Sequence, residues 1–445
     1  MRMKVVIMAG GKGTRISSIA SDIPKPMIQI NGMPVLEHEI ECLRSQGFTD
    51  LIITVSYLGS IIMDYFGDGG KVSPVTRKPF GVNIEYYNEE KPLGNAGALF
   101  KLKEKLTDDF LLLNADAIFD VDFKRMVANH HAKNALVTLF IHPNSHPYDS
   151  GVIIADSKGA VEKWLAKEDE RPVYYRNRVN AGLHVISPKV LDDANIDPNK
   201  VGTINPETGN IYKVDLDRQL LKPLAGTGKM FSYDSPEYVK DMGTPERFHF
   251  VTKDFIAGRV QAKNLVNKQK AIFLDRDGTI NKYVGFLKNI DEFELLPGVI
   301  EAIKSINASS YLCIVVTNQP VIARGEVSWE GIEEIHNKME TLLGYEGAYL
   351  DGVYICPHHP HKGYVGEISE LKLDCDCRKP KPGMLLKAAE DFNIDLEKSW
   401  MIGDSENDLK AGINAGCKTA FIGSGSYNQN MNGETLIQII NKILN

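Results

Sequence analysis

The sequence contains no apolar run approaching the ~20 residues of a membrane span, which argues against a helical transmembrane protein. It also lacks any long Lys/Arg block to offset its net charge of −7, which argues against a nucleic-acid binder. No low-complexity linker interrupts it. Cysteine is scarce and uneven: six residues (Cys42, Cys313, Cys356, Cys375, Cys377 and Cys417), three of them within 22 positions. The opening MRMKVVIMAGGKGTR reads as a first strand and a glycine loop rather than a signal peptide, so a cytoplasmic location is expected. Stable disulfides are rare there, and the cysteine cluster points to a metal.

What is present is an α/β alternation that starts twice. At 445 residues the chain exceeds one ordinary core. Strand-like runs at 5–8, 51–55, 110–114, 135–141 and 183–186 alternate with helical stretches such as 34–46. After an amphipathic stretch at 245–266, KQKAIFLDRDGT begins a fresh strand and loop. Further strands are expected at 271–274, 311–316, 353–355, 400–402 and 419–422. The expected organisation is one domain over 1–247, a helical linker over 248–268 and a second domain over 269–445.

In the first half AGGKGTR (9–15) follows a strand and precedes PKPM (24–27). Gly10, Gly11 and Gly13 lack a Cβ and let backbone N–H groups face an anion, while Arg15 and Lys25 are suited to neutralise a triphosphate. The spacing is neither the Walker pattern nor the dinucleotide fingerprint. Taken with the segments that follow in order, the motif resembles that of the sugar-1-phosphate nucleotidyltransferases, over roughly the first 245 residues. The resemblance implies a Rossmann-like, glycosyltransferase-A-like domain. It implies that PLGNAGAL (92–99), with Gly94, contacts the base, and that Asp116 in LLLNADAIFD and Asp241 in KDMGTPE hold Mg²⁺. Lys167 would contact the sugar phosphate, and Asn180 and Gly182 of the Asn-Ala-Gly run would contact the sugar. The sugar-phosphate oxygen would attack the α-phosphorus while Lys25 and Arg15 hold the leaving pyrophosphate. Positioning and electrostatics then suffice, without a protein nucleophile.

In the second half LDRDGTIN (274–281) sets Asp275 and Asp277 two apart, directly after a strand. One carboxylate can attack phosphorus while the other, kept protonated, donates to the leaving oxygen. VVTNQ (315–319), RKPKPG (378–383) and MIGDSENDLKAG (401–412) add three motifs suited to the carboxyl edge of an open sheet. The set resembles the haloacid-dehalogenase-type phosphatases, with a Rossmannoid fold, over 270–445. By that resemblance Asp275 is the nucleophile and Asp277 the general acid, then base. Thr317 and Asn318 hold the phosphoryl oxygens, Lys379 neutralises the nucleophile and phosphate, and Arg378 meets the substrate phosphate. Asp404 would bind Mg²⁺ with Asp275 and the backbone carbonyl of Asp277, supported by Asp408. LLPGV, IARG, CPHHP and CDCRKP narrow the resemblance to the D,D-heptose 1,7-bisphosphate phosphatases. Pro320-Val321 stand where that subgroup has Ser-Gly, and histidinol-phosphate phosphatases share much of the signature.

Cys356-x-His358 and Cys375-x-Cys377 make a complete tetrahedral ligand set, with His359 and His361 as alternative imidazoles. The residues leave the histidine open; the resemblance assigns His358, with Zn²⁺ structural and Mg²⁺ catalytic. A zinc held by Cys377 would pre-organise Arg378 and Lys379, and Lys381 is expected to be solvated. Cys42, Cys313 and Cys417 read as small buried residues. Together the halves imply consecutive steps: a 7-phosphate is removed from a heptose 1,7-bisphosphate, and the heptose 1-phosphate then receives a nucleotide. GGKGTRISSIASDIPKPM is most similar to the D-glycero-α-D-manno-heptose 1-phosphate guanylyltransferases, which implies GTP. The alternative pairs a mannose or glucose 1-phosphate nucleotidyltransferase with another phosphatase. The sequence carries no signal for oligomeric state.

Overall fold

The computed structural model describes residues 3–11 and 22–445, so Gly13 and Arg15 lie outside the described residues. The chain forms two compact units. The first comprises Met1–Ile141, Ile153–Trp164 and Asn180–Asn264; the second comprises His142–Val152, Leu165–Val179 and Leu265–Asn445.

A nine-stranded sheet is the frame of the first unit. Lys4–Met8 (β1) lies parallel between Asp50–Val55 (β2) and Phe110–Asn114 (β4), and Asn83–Asn88 (β3) extends the sheet beyond β2. Val5 and Ile7 enter one core and Val6 the other; Leu111 and Leu113 likewise oppose Phe110 and Leu112. Burial on both faces explains why these strands read as unbroken apolar runs. β1 and β4 end side by side, bringing Gly10, Gly11 and Asp116 to one edge. Ala117–Asp120 (β5) pairs antiparallel with Tyr238–Asp241 (β7), with Asp241 opposite Ala117. Val179–Ile186 (β6) runs antiparallel beside β4. Helix α1, Val35–Ser45, stands where the spacing predicts it.

The expected helix at 245–266 is instead two. Helix α2, Pro245–Ile256, has Pro245 at its first turn and Thr244 accepting the Arg247 N–H at 3.3 Å. Gly258, at φ 70°, breaks the run before a short helix at Arg259–Ala262. Val251 and Val260 pack with Ile28, Ile30, Val35, Ile118, Tyr238 and Met242, so this segment is a wall of the first unit.

A six-stranded parallel sheet builds the second unit. Lys270–Leu274 (β8) is central, flanked by Tyr311–Asn318 (β9) and Trp400–Gly403 (β11). Gly352–Cys356 (β10) extends one side; Lys418–Ile422 (β12) and Met431–Gly433 (β13) extend the other. Ile272 and Leu274 face one core, Ala271 and Phe273 the other. The strand order places the residues after β8 and β11 and at the end of β9 together. Cys313 and Cys417 are buried as expected, and Cys42 is partly buried. Among the described residues no helix is long and apolar enough to cross a membrane.

Candidate functional sites

Each unit has its own candidate site. In the second unit Lys379 is 3% exposed, and its Nζ donates to Asp275 Oδ1 at 2.6 Å and Asp408 Oδ1 at 2.5 Å. Burial alone would lower the Lys379 ammonium, but the two carboxylates outweigh it and raise it. Burial, then Asp408, pushes the Asp275 carboxyl up to about 7 and Asp404 to about 6. Asp275, Asp404 and Asp408 each bring an oxygen within 4.8 Å of the others, a donor set of hard oxygens suited to Mg²⁺. A side chain at Gly278 (φ 86°) would strike the Asp404 carboxylate, so Asp404 lies against the backbone just after Asp277.

Asp277 differs from its expected protonated state. Burial alone would raise its carboxyl, yet Arg276 and hydrogen bonds from Asn281, Arg276 and Gln319 hold it below the usual carboxylate range. The Arg276 guanidinium reaches both Asp277 oxygens at 2.8 Å; Asn281 and Gln319 donate at 3.0 and 2.9 Å. Arg276 is fully buried and also donates to His336 Nε2 at 3.0 Å. Burial first, then Arg276, lowers His336 to about 3, so its ring is a neutral acceptor. Gln319 Nε2 also donates to Thr317 Oγ1 at 2.8 Å. Asn318 clamps Lys379 by its backbone, accepting from its N–H and donating to its carbonyl at 3.1 Å each. The sequence reading singled out neither Arg276, Asn281, Gln319 nor His336. The first three lie inside quoted motifs; His336 carries no sequence signal beyond helical spacing.

Beside this site Cys356, His358, Cys375 and Cys377 gather their donor atoms within 4.8 Å of one another. The separations are 3.5 Å for Cys356–Cys375, 3.2 Å for Cys375–Cys377, and 3.7 and 3.3 Å from His358 Nδ1 to Cys356 and Cys377. Ligands about 2.3 Å from a zinc ion form a tetrahedron with edges of about 3.8 Å, so the four atoms fit that geometry. Sulfur–sulfur contacts this long are not disulfides. His359 Nδ1 instead pairs with the His361 carbonyl at 3.1 Å. Arg378 NH1 donates to the His358 carbonyl at 3.1 Å, linking the cluster to the lysine motif. Lys381 is a surface ion pair with Asp374 at 2.9 Å.

In the first unit Lys25 Nζ donates to Asp116 Oδ2 at 2.8 Å. The Asp116 carbonyl accepts from Met242 N–H at 3.1 Å, and the β5–β7 ladder sets Asp241 next to Asp116 in space. Asp241 is held by Arg247 NH1 at 3.0 and 3.1 Å and by the Gly243 N–H at 2.8 Å. Gly10 lies against Ser56, whose hydroxyl donates to the Gly10 carbonyl at 2.6 Å, while no atom of the described residues comes within 4 Å of where a Gly11 side chain would start. Gly94 (φ 83°) packs so closely on the Val214 carbonyl that any side chain would collide. Asn180 Oδ1 accepts from Gly182 N–H and pairs with His184 Nε2 at 3.1 Å. Lys167 belongs to the 165–179 segment of the second unit. In this unit Arg247 escaped the sequence reading, as did Glu39, which is 1% exposed with neither carboxylate oxygen hydrogen-bonded among the described residues. Burial, then Asp116, pushes Glu39 well above the ordinary carboxylate range.

The family model described as nucleotidyl transferase matches residues 4–256, and one described as HAD-hydrolase-like matches 376–438. A D-glycero-β-D-manno-heptose-1,7-bisphosphate 7-phosphatase of Pasteurella multocida is 46% identical over 155 residues, 35% of this chain and 81% of its own length. A D,D-heptose 1,7-bisphosphate phosphatase structure from B. bronchiseptica, complexed with magnesium and phosphate, is 32% identical. It matches 40% of this chain and 98% of its own, at a TM-score of 0.35. HddC from Yersinia pseudotuberculosis complexed with GMP-PN is 24% identical, matching 57% of this chain and 99% of its own, at a TM-score of 0.44.

Proposed function

The chain belongs to the nucleotidyl transferase family and, through its C-terminal part, to that of the heptose-bisphosphate 7-phosphatases, and on this premise we propose that it makes a nucleotide-activated heptose in two steps. It is an enzyme with a phosphatase and a nucleotidyltransferase part. The reading takes heptose 1,7-bisphosphate as the first substrate, heptose 1-phosphate as intermediate and GTP as nucleotide donor, in the cytoplasm, the product serving surface polysaccharide.

In the first step Asp275 attacks the 7-phosphorus, and the bond to the sugar oxygen breaks as Asp277 delivers a proton to it. The incoming phosphate places negative charge beside Asp277 and raises its proton affinity against Arg276. Asp277 then takes a proton from the water that cleaves the aspartyl-phosphate. Thr317, Asn318, Arg378 and Lys379 hold the phosphoryl oxygens. Mg²⁺ on Asp275, Asp404 and the Asp277 carbonyl would supply charge neutralisation when bound, and zinc on the Cys/His cluster would be structural. In the second step Arg15 and Lys25 hold the pyrophosphate, with Gly10, Gly11 and Gly13 lining the phosphate loop. Gly94 serves the base, Lys167 the sugar phosphate, Asn180 and Gly182 the sugar, and Asp116 and Asp241 a second Mg²⁺. The observation that best supports the phosphatase step is the Lys379 bridge between Asp275 and Asp408 beside Asp404.

Separate Asp275→Asn and Asp116→Ala variants of the full chain test this. The first is expected to lose phosphate release but keep nucleotidyl transfer from supplied heptose 1-phosphate; the second, the reverse. Loss of both activities in Asp275→Asn would contradict two separate sites. Rapid turnover of mannose 1-phosphate but not heptose 1-phosphate would replace the heptose reading.

A further inference from the structure

Asn180 and His184 lie four residues apart on β6, within the first unit. In a regular strand that separation is about 13 Å. Gly182, at φ 75°, bends the strand between them, and His184 Nε2 stands 3.1 Å from Asn180 Oδ1. A side chain at Gly182 would also meet Asn114 Nδ2 at 2.5 Å, so both the backbone and the space require glycine there. Leu183 pairs with Leu113 of antiparallel β4, which carries Asn180 past Asn114 toward the edge that holds Asp116.

Hydrogen-bond chemistry fixes the direction of this contact. The Gly182 backbone N–H can only donate, and it lies 3.3 Å from one atom of the Asn180 amide, so that atom is the oxygen. His184 Nε2 meets the same oxygen and must therefore carry the ring's proton, which leaves Nδ1 bare. His184 is 1% exposed, burial lowers it to about 4, and its Nδ1 has no partner among the described residues. The ring is neutral, and Asn180 is its one hydrogen-bond partner there. Packing alone does not call for an imidazole, since an apolar ring would fill the space without leaving a buried nitrogen unpaired. With both donors on the oxygen, the half-buried Asn180 has its NH2 group unpaired among the described residues.

We propose that His184 is a positioning residue for nucleotidyl transfer, holding the Asn180 amide with its NH2 group turned to donate to an oxygen of the sugar. It acts through Asn180 alone, and the proposal rests on the sugar contact given above to Asn180. Without the His184 donor the amide keeps only the longer bond from Gly182. It can then turn over and present its oxygen where a donor is needed.

The test uses the full chain with His184→Phe, which keeps a ring but no donor, His184→Gln, which can return a donor, Asn180→Ala, and His184→Phe combined with Asn180→Ala. In His184→Phe the KM for heptose 1-phosphate is expected to rise about tenfold, with the KM for GTP and phosphatase kcat/KM changed less than about twofold. His184→Gln should recover part of that loss, and His184→Phe should add nothing once Asn180 is alanine. A GTP KM that rises in step with the sugar KM would mean a merely structural role and overturn the proposal. Raised sugar KM in Asn180→Ala with unchanged KM in His184→Phe, or effects that multiply in the combined variant, would overturn the positioning role alone. Unchanged sugar KM in Asn180→Ala would overturn the reading beneath it. If His184→Phe fails to fold, the nitrogen-15 spectrum of His184 in the unaltered chain decides: a proton on Nε2 supports the proposal, and a proton on Nδ1 overturns it.

Discussion

Asp275 and Asp404 hold their protons well above the usual carboxylate range, at about 7 and about 6, because burial and then Asp408 disfavour their charge. A folded pKa above the unfolded one means stability that is complete at low pH and lost as pH rises through the folded value. Magnesium must displace those protons. The Mg²⁺-induced rise in Tm should therefore grow between about pH 5.5 and about pH 8, and a shift independent of pH would contradict oxygen ligation there. Lys379 is the counterpart of this strain. Lys379→Met leaves Asp275 and Asp408 without their cation, and should cost about 3–5 kcal/mol in the denaturant transition of the second unit as well as the phosphatase. At this scale the two acidic motifs were legible, because unusual residue spacings right after apolar strands stand out. Glu39 and His336 were not: one polar residue on a helix reads the same whether it faces solvent or a buried arginine. Nor does the spacing of Asp275 and Asp277 reveal that Arg276, between them, turns back onto Asp277.

Among elements, the loop from Cys356 to Lys379 joins a soft-ligand cluster to the phosphate motif through the Arg378 bond to the His358 carbonyl. Cys377→Ser should lower bound zinc and slow phosphate release on the order of tenfold without touching a catalytic group, leaving nucleotidyl transfer unchanged. Zinc content by atomic absorption, measured beside both activities, checks it; full phosphatase in a zinc-free variant would detach the cluster from the loop. Central strands such as β1, β4, β8 and β9 were readable because burial on both faces makes them continuously apolar. β3, NIEYYN, was not, since an edge strand keeps exposed polar positions and resembles a loop. The 245–266 stretch shows periodicity throughout, and only the left-handed turn at Gly258 divides it.

For the whole molecule, the alternation of strands and helices and the second start near residue 270 disclosed an α/β chain of two parts. The membership of 142–152 and 165–179 in the second unit was hidden. Their residues are polar and charged, and the groups that bond to Tyr175 and Asn177, Thr341 and Glu340, lie more than 160 positions downstream. Pattern reading works over neighbouring turns and strands, whereas such pairings are set only by the packed chain. The central claim is that one chain performs two consecutive reactions on one sugar. It is tested most directly by mass spectrometry of products from heptose 1,7-bisphosphate incubated with the full chain, Mg²⁺ and each nucleoside triphosphate in turn. The account predicts phosphate, pyrophosphate and GDP-heptose with GTP, and heptose 1-phosphate alone when nucleotide is withheld. Accumulation of heptose 1-phosphate with every nucleotide present, and no nucleotide sugar, would contradict it.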